Sequence, residues 1–449
     1  MKKLKKYGSA VGIILLTLFL SWIAPPVVQK IRHLCPVRSN GVNEAQAVSQ
    51  FARKYSMSCN ACHTAFPRLT AFGERFKANG FQMLDSQDGD ETGKNRVTDR
   101  LFISEIGNLI GLRIALNPIQ VKTKSLDRDS NGTKESTLVN VGTADWLQLF
   151  TAGSIFKNVS IFIETEIAGN ANNTVKNNWF MLGWHNIVGE NGAMSARLGN
   201  IPQADWHVMS GRLRMIPNIN VQAMSGRSNS ESAPTGKSND QIALSDAVPG
   251  IEIFGLPKLW NAFEFVYSGV LSQGKKQADD KNELQNYSST LGIRKNGGDF
   301  DGSQISVFGN YSGDTSTTSY VSNRWFTVSP GVNLRYKGLD LIAAYYYSED
   351  SNGNLNNTSA PMKLKSNGIA GQIGYTINPA WWTGVQYDWV DSGDRPAENF
   401  NKISPTIWFF PRENIRIGLV GRLDMDGTTV NTTHPSQIHE ILAHIRAMF

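Results

Sequence analysis

The chain is poor in cysteine, in charge and in long apolar runs. Of its 449 residues, three are Cys, 17 are Pro and 18% are charged. Cys35 lies near the start, which leaves Cys59 and Cys62, three positions apart. Two such cysteines make no disulfide framework. Beyond the first 28 residues no segment approaches the ~20 apolar residues that a spanning helix needs, and the mean hydropathy is −0.29. A polytopic helical membrane protein is therefore excluded. A membrane β-barrel is not, because its strands carry a polar residue at every second position. What is plentiful is glycine (41 residues) and aromatic side chains (10%), which argues against disorder and against a coiled coil.

The formal charge of +6 belongs to the start of the chain. Residues 1–47 hold seven basic residues (Lys2, Lys3, Lys5, Lys6, Lys30, Arg32 and Arg38) and one acid, Glu44. The remainder is close to neutral, so the high pI is poor evidence for nucleic-acid binding and none is expected. The four early lysines precede an apolar run from Ala10 to Ala24. A basic start followed by a short apolar segment reads as an export signal. Ala45-Gln46-Ala47 fits a small-x-small cleavage site, and the competing reading is an uncleaved anchor over Gly8–Val28. Residues 1–47 are taken as the leader.

Cys59-Asn60-Ala61-Cys62-His63 is a C-x-x-C-H motif. The spacing sets two thiols on one helical turn, where they can add to the two vinyl groups of haem, and places His63 to ligate the iron. Covalent attachment follows export, so leader and motif agree. A zinc half-site would want a second pair of ligands, and a thioredoxin-like site a βαβ context; neither is present. One c-type haem is expected, with Cys59 and Cys62 as attachment points and His63 as proximal ligand. Over Thr64–Gly80 the residues Phe66, Leu69, Phe72 and Phe76 recur at three- or four-residue spacing, which predicts a helix that Asn79-Gly80 stops. Gly73 would permit close approach of that helix to another surface. Met83, just beyond it, is the candidate distal ligand; Met57 and the distant histidines are the alternatives.

From about Thr98 the texture changes to period-two segments separated by turns. Ile305 and Val307 oppose Gln304, Ser306 and Asn310. Ile369, Ile373 and Tyr375 oppose Gln372 and Thr376. Ile415, Ile417 and Leu419 oppose Arg416 and Arg422. Val332, Leu334 and Tyr336 oppose Asn333, Arg335 and Lys337, and Glu164, Glu166 and Asp388 likewise fall on a polar face. Short turns such as Asn378-Pro379-Ala380 alternate with long polar loops such as Ser312–Asn323, Gly226–Asp240 and Asp350–Ser359. Short turns at one rim and long loops at the other is the outer-membrane barrel pattern. Trp325, Trp381, Trp382 and Tyr345 are expected in the interfacial girdles. The chain ends on Phe449, with Ala447, Ile445, Ala443 and Ile441 on one face. Residues 98–449 number 352, which at roughly 22 residues per strand and connection makes about sixteen strands.

The stretch Ala47–Gly80 resembles the fused monohaem cytochrome–porins of the bacterial outer membrane, best known from iron-oxidising bacteria. That family carries A-x-P-x-F-A-R-x-x-G-x-x-C-x-x-C-H. Here Ala47, Phe51-Ala52-Arg53 and Cys59-Asn60-Ala61-Cys62-His63 match, and Ser49 and Ser56 stand in place of the Pro and Gly. Pro67-Arg68-Leu69, Phe72-Gly73, Phe76-Lys77 and Asn79-Gly80 are also similar to the family. The resemblance covers about 35 residues and is architectural beyond them. It implies a small cytochrome capping a porin-like barrel. Electrons would enter from an extracellular donor such as Fe(II) and leave to a periplasmic carrier, a cytochrome or a cupredoxin. In the iron-oxidising members this amounts to an Fe(II) oxidase.

The expected fold is therefore mainly β: a leader (1–47), a small α-helical monohaem cytochrome c domain (48–97), and an antiparallel outer-membrane barrel of about sixteen strands in contact with lipid (98–449). Two other functions remain open from sequence: a diffusion channel whose haem domain is a plug or sensor, and electron export to an external acceptor. Gly236-Lys237-Ser238 resembles the end of a phosphate loop, but Glu231 stands where such a loop needs Gly.

Overall fold

The computed structural model describes residues 50–55, 57–65, 67–83, 95–98, 101–103, 108–128, 132–168, 175–210, 215–216, 247–260, 262–273, 286–315, 322–351, 363–391, 400–425 and 436–449. The leader, the Gly226–Asp240 loop with Gly236-Lys237-Ser238, and most of Asp350–Ser359 lie outside them. Among the described residues no helix is long and apolar enough to cross a membrane.

Sixteen long antiparallel strands close into one barrel among the described residues. The first eight are β1 (Ile110–Arg128), β2 (Gly132–Phe156), β3 (Val159–Ala168), β4 (Lys176–Trp184), β5 (Ser195–Pro202), β6 (Ala247–Gly255), β7 (Phe263–Ser272) and β8 (Asn286–Lys295). They continue as β9 (Gln304–Thr315), β10 (Ser322–Tyr336), β11 (Leu339–Asp350), β12 (Leu364–Asn378), β13 (Trp381–Asp391), β14 (Phe400–Arg412), β15 (Ile415–Asp424) and β16 (Ser436–Met448). Each strand pairs with its neighbours in sequence, and β16 pairs with β1 to close the ring. The carbonyl and amide of terminal Phe449 both bond to Leu112, at 2.9 and 2.8 Å, which completes the seam. Closure leaves no sheet edge, as hydrocarbon requires, since each unpaired backbone group there would cost several kcal/mol.

The two faces are segregated as the period-two pattern predicts. Ile305, Val307, Ile369, Ile373, Tyr375, Ile417, Leu419 and Ile441 are exposed on the outside. Gln304, Ser306, Asn310, Gln372, Gln386, Asp388 and Arg416 are buried on the inside. A soluble barrel would have the reverse arrangement; an apolar outer belt around a polar lumen is the mark of a membrane barrel. Lys337 is an exception to the expected alternation: it sits in the Lys337-Gly338 turn at φ 54° and ends the strand.

The girdle expectation is half corrected. Tyr345 is exposed, but Trp325 (2% exposed) and Trp382 (1%) point into the lumen. Trp382 has the parity of Gln386 and Asp388, and Trp325 that of Thr327 and Ser329, so register overrides any preference of tryptophan for the interface. The barrel also begins later than Thr98. Asn95–Thr98 and Leu101–Ile103 pair with each other in a separate hairpin, and the first barrel strand starts at Ile110.

One rim carries short turns, at residues 157–158, 337–338, 379–380 and 413–414. After β5 the chain turns back into the lumen. Residues 203–210 and 215–216 are all buried. Gln203 accepts from Asn286 and Asn310 at 3.0 Å, Gln304 donates to the Trp206 carbonyl at 2.9 Å, and the Met215 and Ile216 amides donate to Gln372 at 3.2 Å. This segment therefore packs against lumen side chains of strands from β8 to β12.

Candidate haem site at the short-turn end of the barrel

Before the barrel the described residues hold three short helices: α1 (Gln50–Tyr55), α2 (Cys59–Cys62) and α3 (Ala71–Ala78). The helix expected over Thr64–Gly80 covers only its second half. His63–Ala65 and Arg68–Leu69 form a small hairpin instead, turning at Pro67, whose fixed φ and missing amide suit a turn better than a helix interior. Thr70 then caps α3, its Oγ1 accepting from the Gly73 amide at 3.0 Å. The stop at Asn79-Gly80 is where the sequence places it: Asn79 is the C-cap and Gly80 has φ 71°.

This segment seats in the short-turn end of the lumen, held at five places around the ring. Arg53 donates to the Ile110 carbonyl and Lys54 to Ser154 Oγ. Glu413, in the β14–β15 turn, accepts from Ser58 Oγ and from the Cys59 amide at 2.8 Å. Arg68 is buried against Asn333 and ion-paired with Asp340 at the β10–β11 turn. Arg75 meets Glu264 and Asn296 near the β8–β9 turn, while Lys77 pairs with Asp205, itself bound by Arg197. Close to Arg197, His185 Nδ1 lies 3.0 Å from the Ala78 carbonyl and its Nε2 lies 2.7 Å from Ser160 Oγ. Phe81, at φ 61°, stacks on Phe51 and on inward-facing Phe162 (centroids 4.9 and 5.8 Å).

The motif itself is built by these contacts. Ser58 caps α2, accepting from the Asn60 amide at 3.1 Å. Cys59 and Cys62 then share one turn, as thiols rather than a disulfide, and both are half-buried. Gly73 brings α3 against α2: a Cβ there would lie 2.3 Å from the Cys62 carbonyl oxygen. The surface that Gly73 approaches is thus the motif. Thr70 holds the same contact, its amide donating to Cys62 O and its hydroxyl to Ala61 O, both at 2.9 Å.

These donors fit a c-type haem better than the alternatives. His63 Nδ1 lies 3.1 Å from the Pro67 carbonyl. Such a bond keeps the proton on Nδ1 and turns Nε2 towards a metal. Burial pushes the His63 imidazole down to about 4, so it is neutral, the form that ligates. Burial, with Cys59 alongside, pushes the Cys62 thiol up to about 11. A thiol-exchange pair needs the opposite, a depressed thiol. No group of three or more His, Cys, Asp or Glu among the described residues is arranged to hold a metal ion. The Met83 backbone is fixed just beyond α3: its carbonyl accepts from Asn79 Nδ2 at 3.1 Å, and Asn79 Oδ1 accepts from Asn186 at 2.7 Å.

Sequence reasoning named Cys59, Cys62, His63 and Met83. It missed Glu413, Asp340 and Glu264, and it weighed His185 only as a distant alternative ligand; all four lie 100 or more residues away from their partners. An inward carboxylate beside a short turn was the one signal for the three acids, and it recurs too often along the barrel to single them out.

No family model matches this chain, and no curated protein does. Solved structures do. An anion-selective porin from Comamonas acidovorans superposes at a TM-score of 0.52 with 11% identity, over 76% of this chain and 99% of that one. OmpF from Salmonella typhi, in complex with daunomycin, superposes at 0.50 with 11% identity, over 76% and 97%. At that identity the likeness is one of fold. Together with the apolar belt, it defines a porin-type β-barrel of the bacterial outer membrane.

Proposed function

We propose that this barrel is an outer-membrane electron-transfer protein with one covalently attached haem c at its short-turn, periplasmic end. The observation that carries the proposal is the C-x-x-C-H turn seated on Glu413, with His63 Nδ1 on the Pro67 carbonyl. Cys59 and Cys62 anchor the group, His63 ligates it, and Met83 is the candidate sixth ligand. Bound there, a haem supplies reversible one-electron chemistry. The chain's own residues hold the histidine neutral and oriented, and seat the half-buried motif against the lumen wall. The donor is extracellular, such as Fe(II), and the acceptor is a periplasmic carrier, a cytochrome or a cupredoxin, that meets the short-turn rim.

The test is expression with a haem-attachment system, followed by a denaturing gel stained for covalent haem and mixing of the oxidised protein with Fe(II). One covalent haem, lost in Cys59→Ala and Cys62→Ala, and reduced by Fe(II), is the expected result. A wild-type barrel that folds without covalent haem overturns the proposal.

A second reading has the porin-type fold itself in its favour: a diffusion channel with residues 50–83 as plug. Liposome swelling separates the two. Solute flux through the haem-loaded protein favours the channel. A sealed lumen favours the conduit.

A further inference from the structure

We propose that the outward face of β10–β12, at the long-loop end, binds the phosphate of an anionic lipid in the outer leaflet through Lys363 and Lys365, with Arg324 alongside. The site lies on the outside of the wall, so it is independent of any haem or solute in the lumen.

Register sets the height of the site. On the outside of β11 and β12, Leu339 faces Tyr375 and Leu341 faces Ile373 near the short turns. Further up, Tyr345 faces Ile369, Tyr347 faces Asn367 and Glu349 faces Lys365. Trp389 of β13 pairs with Ile369 and extends its row, and aromatics gathered at one level mark the interface. Glu349 lies ten residues beyond Leu339. At roughly 3.3 Å per residue and a tilt of roughly 45°, that is a rise of about 23 Å, close to the roughly 25 Å height of an apolar belt. Glu349, Lys365 and Lys363 therefore stand just above the hydrocarbon, at the level of the headgroups. Long loops face the outside, so the leaflet is the outer one.

The charges there are unequal. Lys363 and Lys365 both pair with Glu349, Lys365 Nζ at 3.9 Å, and the Tyr347 hydroxyl donates to the same carboxylate at 3.0 Å. One acid thus gathers two ammoniums at one point. The lysine side chains stay 58% and 56% exposed. An ammonium carries three donors, so each keeps hydrogens for a further acceptor. Arg324 is exposed on β10 one row above Glu349, where its amide donates to Ser351 Oγ at 2.8 Å. The strands β10 and β12 flank β11, which sets Arg324 about 10 Å from the lysines. Asp391, across from Asn367 on β13, is the second acid. Three cations against two carboxylates leave the patch positive, and a phosphate supplies both the missing charge and the acceptor oxygens. Free phosphate would meet the charges alone. A phospholipid meets the charges with its headgroup and Tyr345, Ile369 and Trp389 with its acyl chains, so the occupant is a lipid.

The test is native mass spectrometry of the full-length barrel in neutral detergent, titrated with dioleoyl phosphatidic acid and, separately, with dioleoyl phosphatidylcholine. Barrel folding is followed by the heat-dependent gel shift. The wild-type protein is expected to hold phosphatidic acid in preference to phosphatidylcholine. A basic residue at a charged lipid surface is worth roughly fivefold in affinity. R324Q, K363Q and K365Q should each weaken phosphatidic acid by about that factor, and K363Q/K365Q by about 25-fold, with phosphatidylcholine unmoved. K363R/K365R should keep the preference. K337Q, exposed at the short-turn rim, removes one charge elsewhere and should change nothing. Should the double Gln variant fail to fold, the single variants carry the comparison. A wild-type protein that holds the two lipids equally, or folded Gln variants that keep the wild-type preference, overturn the proposal. Inorganic phosphate that displaces phosphatidic acid at equal concentration also overturns it, because the patch would then be a site for free anions.

Discussion

Replacing Gly73 by Ala tests how the motif is supported, because two effects of opposite sign meet at that position. Within a helix, Ala is favoured over Gly by about 1 kcal/mol. Were α3 merely covering the motif loosely, the substitution would stabilise the plug. The geometry predicts the reverse. A Cβ at 73 would lie 2.3 Å from Cys62 O, 3.1 Å from Cys62 C and 3.0 Å from Leu69 Cδ2. Two of those atoms are backbone of the motif and cannot rotate away. Relief requires α3 to back off by about 1 Å, to reach ordinary contact distances, and overpacking of this kind costs about 1–3 kcal/mol. The same shift strains the Thr70 amide to Cys62 O and Thr70 hydroxyl to Ala61 O bonds, at about 1 kcal/mol each. The regained helix propensity offsets about 1 kcal/mol. The net loss is about 2–4 kcal/mol, a rise of roughly 30- to 1,000-fold in local opening. Hydrogen exchange of the Ala71–Ala78 amides reads it directly, and covalent haem yield reads its consequence. The barrel should keep its heat-dependent gel shift. Amides in α3 that exchange as slowly as in wild type, or more slowly, would refute the packing of α3 on Cys62.

Other perturbations bear on the same seat. Arg68→Ala leaves buried Asp340 without its ion-pair partner, which should loosen the plug by about 3–5 kcal/mol; limited proteolysis after Arg53 or Lys54 in intact barrels reports it, and unchanged resistance would remove Arg68 as an anchor. His185 is held down to about 4 by burial, aided by nearby Arg197. Its folded value lies below the ordinary 6.5, so its contribution to docking is complete above pH 6.5 and is lost as pH falls from there towards 4. Exchange of the Ala78–Phe81 amides should accelerate over that window, and His185→Gln should abolish the acceleration. Met83→Ala should lower the midpoint potential with loss of thioether ligation from the spectrum; an unmoved potential returns the sixth position to another donor.

Much of the barrel was legible because lipid makes the pattern strict. Every outward residue along Ile369, Ile373 and Tyr375 must be apolar, and every backbone group must find a partner, so alternation and closure leave few solutions. Trp325 and Trp382 show where composition misled: aromatic type suggested the girdle, while their parity set them in the lumen. The helix expected over Thr64–Gly80 misled in another way. Its apolar spacing was right for Phe72 and Phe76, but Pro67 and the Thr70 cap divided the stretch into hairpin and helix.

By itself the sequence determined the alternating strands, their approximate number and the C-x-x-C-H turn, because each rests on residues within a few positions of one another. Only the tertiary structure decided where that turn sits. Glu413, which holds the turn, and Asp340 and His185, which hold the segment after it, lie 107 to 354 residues from their partners, and a closed ring brings any turn of one rim equally near in principle. Which inward carboxylates meet the motif and the segment after it follows from register around the barrel and from the segment that folds in after β5. Both are properties of the assembled sheet, carried by no local pattern.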